Sequence, residues 1–305
     1  MSVSVTSFYR FQNLEEPQVE FLKANLEHIA QSTDLRGLCL LGREGINATL
    51  SGARAGLEQI KALVNGSFNE AGIEYKDSEA ARHPFHFFRI KVKDEIVTLG
   101  KPGFAPATAK NFHLSPFEWH EAMKDPDTVI LDTRNDYEVE IGKFKNAVDF
   151  RTKEFREFPE AVAKSGIPRD KKILMYCTGG IRCEKAILEM HEQGYSNVHQ
   201  LEGGILNYLE KFPNKSFEGE CFVFDYRVAV DQELQPTTKY KLCPHCGQPA
   251  HKPVKCLKCG TETLICNSCV EENLQTCSKN CAHHAKHGHK SKSRHEQELS
   301  KRHKI

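Results

Sequence analysis

The chain has 305 residues, of which 39% are hydrophobic and 27% charged, with a formal net charge of +1. That length exceeds one ordinary hydrophobic core and points to two or three domains. No apolar run is long enough to cross a bilayer, and the start, MSVSVTSFYRF, lacks the basic and apolar segments of a secretory signal; a cytoplasmic protein with no membrane partner is expected.

Residues 1–100 alternate strand and helix signals. SVTSFYRF has strand composition. PQVEFLKANLEHIAQS opens at Pro17 and places Val19, Leu22, Leu26 and Ile29 at helical spacing. LRGLCLLGREG and INATLSG read as two strands joined by a turn at Gly42–Gly45. ARAGLEQIKALVNG is a second amphipathic helix, and HPFHFFRIKVKDEIVTLG returns to strand. The order βαββαβ predicts a ferredoxin-like (acylphosphatase-like) domain. That fold hosts many functions, so the pattern alone decides none.

Residues 101–112, rich in Pro and Gly nearby, read as a linker. In residues 113–217, Ser115, Pro116 and Glu118 form a helix-start signature. TVILDTR and KKILMYC are apolar strands, RCEKAILEMHEQGY is a helix, and NVHQLEGGILNYLEKF supplies a third strand, a Gly-Gly turn and another helix. Such alternation predicts a parallel α/β sheet.

The stretch MYCTGGIRCEKA puts Cys177 where a strand ends and a helix begins, the end at which α/β sheets bind ligands. Gly179 and Gly180 let the backbone turn tightly, with N–H groups converging on one point. Those donors and the helix N-terminus lower a thiol pKa and hold an anion. Arg182 adds fixed positive charge. Cys177 is therefore the expected catalytic thiolate. Thr178, Gly179, Gly180, Ile181 and Arg182 form the expected anion-binding loop. Cys183 has no CxxC partner, which disfavours a metal clip; packing under the loop and a resolving role in a Cys177–Cys183 disulfide both remain open.

Of twelve cysteines, eight lie between Cys243 and Cys281. Their pairs are Cys243/Cys246, Cys256/Cys259, Cys266/Cys269 and Cys277/Cys281. Eight thiolates suffice for two structural zinc ions at four each, so residues 218–284 are expected to be a Cys-rich zinc-binding region. Neighbouring pairs and a cross-brace satisfy the count equally, and an iron–sulfur cluster is the chemical alternative. Residues 285–305 carry seven Lys or Arg, four His and two Glu. They read as a disordered basic arm that attracts polyanions such as RNA.

Two smaller signals remain. RHPFHFFRIK, Arg82 to Lys91, mixes aromatics with bases as RNA-contacting surfaces do, although a half-buried strand has the same composition. In GREGIN, Arg43, Glu44 and Asn47 sit at a turn from which charged groups can face the active loop.

Taken in order, DTRNDYEVEIGKFKNAVDF, CTGGIRCEKA and LEGGILNYL resemble the rhodanese domain. The resemblance rests on Asp132 and Arg134, on the loop from Cys177 to Arg182, and on Gly203–Gly204. The six-residue loop has the length associated with sulfur carriers. Asp132, Arg134 and Cys183 would support the loop. With GREGINATLSG, HPFHFFRIKVKDEIVTLG, GECFVFDYRVAV and the terminal cysteines, residues 1–282 are similar to the bacterial tRNA uridine-34 hydroxylase family. The resemblance implies oxygen-dependent 5-hydroxylation of the wobble uridine of tRNA, with molecular oxygen as co-substrate and the loop cysteine required.

The residues themselves show no flavin or nicotinamide motif and no two-His-one-carboxylate set. A thiolate can add to C6 of uracil and make C5 electron-rich, which is covalent catalysis. The same loop also suits a sulfurtransferase carrying sulfane sulfur on Cys177, for example for tRNA thiolation. A non-catalytic RNA-binding scaffold is the third reading, disfavoured by the intact Cys177. Protein partners are not indicated.

Overall fold

A computed structural model describes residues 2–68, 72–104, 106 and 112–287. The chain divides into two compact units, Met1–Thr237 and Thr238–Ile305.

The first unit begins with β1 (Val3–Phe11), α1 (Glu16–Thr33), β2 (Arg36–Gly42), β3 (Gly45–Gly52), α2 (Arg54–Ser67), β4 (Lys76–Ala80) and β5 (Phe88–Val92). The sheet order is β4-β1-β3-β2-β5. Strand alternation splits its side chains between two faces. Phe8, Cys39, Leu41, Ile46, Ala48 and Leu50 pack with Leu22 and Leu26 of α1 and with Leu57 and Ile60 of α2. The opposite face carries two cross-strand rows, Ser7–Thr49–Leu38 and Tyr9–Asn47–Leu40, and among the described residues no helix of this domain packs in the core cluster on that side.

One expectation needs correcting. The strand within HPFHFFRIKVKDEIVTLG is confined to Phe88–Val92 and is not the fourth strand of the ferredoxin-like motif. It pairs parallel to β2 at one edge. The fourth strand is KDSEA, Lys76–Ala80, antiparallel to β1 at the other edge. Its charges are those of a strand solvated along one side, where packing does not demand apolar residues.

The second domain runs β6 (His113–Leu114), α3 (Pro116–Ala122), β7 (Val129–Asp132), α4 (Asp136–Val139), β8 (Gly142–Phe144), β9 (Val148–Asp149), a 3₁₀ turn at Phe155–Glu157, α5 (Phe158–Lys164), β10 (Ile173–Tyr176), α6 (Ile181–Glu192), β11 (Val198–Leu201) and α7 (Gly204–Lys211). The capping box at α3 forms as read, with the Ser115 hydroxyl accepting from the Glu118 N–H. The sheet, β6-β11-β10-β7-β9, is parallel throughout. Both faces are covered, which is why its strands read as continuous apolar runs. Phe158 and Val162 of α5 and Ala186, Ile187 and Met190 of α6 lie on one side. Trp119 of α3 and Ile205, Tyr208 and Leu209 of α7 lie on the other.

Residues up to 237 continue this unit. β12 (Phe217–Gly219) pairs with β8, and β13 (Cys221–Phe222) with β14 (Ala229–Val230). Cys221, Val223 and Val230 join the α3–α7 side of the core.

The two domains of this unit are joined by a buried ionic triad. Lys185 of α6 lies 2.7 Å from Glu44, in the β2–β3 turn, and 2.7 Å from Glu95. Glu44 also accepts from the Ile96 N–H at 2.6 Å, and Glu95 from Leu99 and Gly100 at 3.0 Å. Burial dominates at Glu44 and holds its carboxyl above the ordinary range despite Lys185.

The second unit contains β15 (Lys241–Leu242), β16 (Pro249–Ala250), β17 (Lys252–Lys255), β18 (Glu262–Ile265), α8 (Asn267–Glu271) and α9 (Lys279–His287). Its core is small: Cys243, Ala250, Ile265, Cys266 and Cys269. Of the expected basic arm, residues 288–305 lie outside the described residues, as do parts of the expected linker.

Candidate functional site

Cys177 follows β10, the central strand, and Gly180 caps α6 with φ at +98°. The Gly180 N–H donates to the Cys177 sulfur at 3.0 Å. The loop is held from the far side by α7. The Ile205 N–H donates to the Cys177 carbonyl at 3.0 Å and the Leu206 N–H to that of Thr178 at 3.2 Å. Gly204, at φ +67°, has no room for a side chain: a Cβ there would stand 2.5 Å from the Cys177 carbonyl oxygen. The distant Gly203–Gly204 turn is thus a structural part of the loop.

Burial alone would push the Cys177 thiol up. A hydrogen bond from Cys183, the Arg182 charge and the N–H groups of Arg182 and Gly180 outweigh it and hold the thiol at about 5. Cys183 goes the other way: burial and the neighbouring thiolate raise it well above the usual range. It sits under the loop as a protonated donor, with Thr133 Oγ1 3.6 Å from its sulfur. Both cysteines are free thiols.

Arg182 does not face an empty anion site. Its guanidinium forms a bidentate pair with Glu138, at 2.6 and 2.7 Å. Asp132 and Arg134 form a second buried pair, 2.6 Å apart, and Arg134 also donates to the Gly142 carbonyl at 2.7 Å. Asp132 sits beside Tyr176 in register, so this pair braces the strand end from which the loop springs. Thr178 Oγ1 reaches the Phe222 carbonyl at 3.3 Å.

A cleft of about 500 Å³ opens at this loop. One wall is the loop, with Cys177, Thr178, Gly179, Ile181 and Arg182. The other is the uncovered face of the first sheet, with Ser7, Tyr9, Leu40, Asn47, Thr49 and Lys76. Tyr9 donates to Glu184 of α6 at 3.0 Å, and its hydroxyl lies 3.0 Å from where a Cβ on Gly180 would stand. The Lys76 ammonium lies over the Tyr9 ring, 5.5 Å from its centroid. Burial lowers the Lys76 pKa, offset in part by Glu74 and by the Cys177 thiolate. With Arg182 engaged by Glu138, Lys76 is a cation that faces the thiolate across the cleft.

Sequence reasoning missed Tyr9, Lys76, Glu138 and Glu184. The alternation of SVTSFYRF, with Phe8 facing the helices, was the available signal for Tyr9. Of the GREGIN residues, Asn47 lines the cleft, donating to the Ile96 carbonyl at 3.1 Å. Glu44 is consumed by the ionic triad. Arg43 pairs with Glu16 at the surface, at 3.0 Å.

In the second unit the eight cysteines form two interleaved sets, Cys243/Cys246/Cys266/Cys269 and Cys256/Cys259/Cys277/Cys281. Within each set the sulfurs lie within 4.8 Å of one another. Cys246 and Cys266 are 3.4 Å apart, Cys259 and Cys277 3.5 Å, and Cys259 and Cys281 3.9 Å. A tetrahedral zinc ion with Zn–S near 2.3 Å spaces its sulfurs about 3.8 Å apart, so both sets fit one. Gly247 and Gly260, each following a ligand pair, take φ of +82° and +74°, the left-handed turn such a knuckle needs. Neither set includes a histidine.

Three family models match in order: a UPF0176 acylphosphatase like domain over residues 3–96, a rhodanese-like domain over 115–211 and a rhodanase C-terminal region over 218–282. A tRNA uridine(34) hydroxylase of Bdellovibrio bacteriovorus is 50% identical over 92% of this chain and 80% of its own length. Proteins of the same name from Agrobacterium fabrum and Rhizobium leguminosarum are 42% and 39% identical, each over 89% of this chain and 86% and 88% of their own length. With identity of this order along nearly the whole chain, across all three matched regions, the chain belongs to the tRNA uridine(34) hydroxylase family.

Proposed function

We propose that this protein hydroxylates C5 of the wobble uridine in tRNA, using molecular oxygen as co-substrate, and does so in the cytoplasm. Cys177 is the nucleophile. Its thiolate adds to C6 of the uracil, pushing electron density onto O4 and C5 so that C5 takes up an electrophilic oxygen. Loss of the C5 proton and departure of Cys177 restore the ring. The balance is one O₂ and two electrons with two protons from a reductant, giving one hydroxyl and one water. Loop N–H groups and Cys183 hold the thiolate; Lys76 faces the charge that moves from sulfur toward the base. Zinc, four thiolates per ion, holds the second unit together, where the core alone is too small to do so.

The observation that carries this reading is the cleft. A sulfur carrier needs room for little more than one sulfur atom, whose anion the loop N–H groups can hold. Here about 500 Å³ stands open beside Cys177, within the range of small-ligand sites. Purified protein, reductant and unmodified tRNA should yield 5-hydroxyuridine in air and none under anaerobiosis. Formation of 2-thiouridine from thiosulfate, indifferent to oxygen, would establish the sulfurtransferase instead.

A further inference from the structure

Next to the cleft the chain displays aromatic rings that remain half or more exposed, although Phe224 packs edge-on against Phe222 at 4.9 Å. Phe224 lines the cleft, is 56% exposed and lies 5.6 Å from the Arg182 guanidinium. Tyr226, 50% exposed, packs against His86 at 4.5 Å, and its N–H donates to the Pro84 carbonyl at 2.9 Å. His86 is followed by Phe87, 66% exposed, with the Arg89 guanidinium 5.8 Å from the ring centroid. Single exposed aromatics are ordinary on protein surfaces. Three linked rings, Phe87, His86 and Tyr226, two residues along the chain from a fourth at the rim of a cleft, are not.

The turn carrying Phe224 and Tyr226 is rigid. Asp225 and Arg227 form a bidentate pair at its centre, 2.6 Å at the shortest, and Arg227 donates to Ser78 of β4 at 2.9 Å. Val228 takes φ +66°, a conformation that costs a β-branched residue free energy. It is held there by the hydrogen bond from the Val223 N–H to its carbonyl and by its own N–H to Asp225, at 3.0 and 2.9 Å. The fold therefore tolerates strain to keep two exposed rings fixed beside the site. The flanking segment is basic: between Arg82 and Asp94 it has four Lys or Arg and one Asp.

We infer that Phe224, Tyr226, His86 and Phe87 form a stacking shelf for the unpaired RNA nucleotides flanking the target base, with Arg89 and its basic neighbours toward their phosphates. The inference rests on the hydroxylase reading for the identity of the RNA. Exposed rings beside basic side chains are what unpaired bases and their backbone require, and the positive charge selects a polyanion over an apolar protein surface.

The test measures binding of full-length protein to a fluorescein-labelled anticodon stem-loop, without oxygen, so that it reads independently of turnover. Stacking contributes about 1–3 kcal/mol per base, so Phe224→Ala with Tyr226→Ala should weaken binding by roughly 5- to 150-fold for each base lost. Phe224→Trp and Tyr226→Trp should bind as wild type does. Making the flanking nucleotides abasic should weaken wild type by a similar factor and add little to the alanine variant. Alanine variants that keep their thermal midpoint yet bind within twofold of wild type overturn the shelf. So does an undiminished effect of the alanine changes on the abasic RNA. A change in sedimentation coefficient with RNA affinity unchanged would assign the rings to a protein contact. Intact, shelf-dependent binding with no hydroxylated product would refute the hydroxylase reading and leave the shelf standing.

Discussion

Arg182 and Glu138 face each other as a bidentate ion pair at 2.6 and 2.7 Å, both side chains buried against the active loop. Arg182→Met strands the Glu138 carboxylate and should cost about 3–5 kcal/mol of stability, read from denaturant midpoints. Glu138→Leu added to it should recover most of that loss, because a buried pair replaced by apolar groups is often near neutral. Reactivity of Cys177 should not return with it, since the charge beside the sulfur is still missing. Recovery of thiol reactivity along with stability would show that Arg182 only packs.

Alkylation of Cys177 by iodoacetamide should be nearly constant from pH 7 to 8 and fall through a midpoint near 5. Because the folded value lies below the ordinary thiol range, the thiolate contributes stability that is complete only above about 8.5 and is lost as pH falls through about 5. Lys76→Met should raise the midpoint by removing the cation across the cleft. Cys183→Ala should raise it too, while Cys183→Ser, which retains a donor, should move it less. Equal effects of the alanine and serine changes would mean that Cys183 supports the loop by volume and not by its hydrogen bond.

Metal analysis should return two zinc ions per chain, from two sets of four thiolates. Cys243→Ser should leave about one ion and expose Cys246, Cys266 and Cys269 to alkylation, while the set containing Cys256 stays protected. Exposure of Cys256 and Cys259 in place of Cys266 and Cys269 would restore the neighbouring-pair arrangement. Iron with visible charge-transfer bands would replace zinc altogether.

Lys185→Met leaves Glu44 and Glu95 buried side by side and should cost about 3–5 kcal/mol at pH 8. The deficit should shrink toward pH 5. Glu44 already sits above the ordinary carboxyl range because of burial, and without Lys185 it protonates more readily still. A deficit independent of pH would mean that the triad contributes packing and not charge.

The parts of the site that are contiguous in sequence were legible in it. Cys177 to Arg182 carries thiol, glycines and arginine in one loop, so type and spacing alone predict an activated thiol there, and the loop does hold the thiol at about 5. Glu138 was not legible because it reaches the loop through tertiary packing. Lys76 was doubly hidden: it opens a charged edge strand with little apolar signal, and it meets Cys177 only across two domains. HPFHFFRIKVKDEIVTLG reads as the fourth strand for the same reason, since its aromatics outweigh KDSEA on composition. The eight cysteines are legible as two sets that could each hold a metal ion, but their interleaving depends on how the chain folds and leaves no mark on spacing.

The triad of Lys185 with Glu44 and Glu95 fixes how the two walls of the cleft stand apart. Separating them would uncover a cation and two carboxylates at once, so the protein cannot cheaply hinge open around its substrate. On the proposed mechanism the deformation falls on the RNA, whose uridine would swing out of its stack to reach the thiolate. A uridine in a loop already holds little stacking energy, whereas one in a duplex must first break its pair. On that mechanism an unpaired loop uridine is the kind of base that such a slot admits, and paired uridines are disfavoured without any reading of sequence.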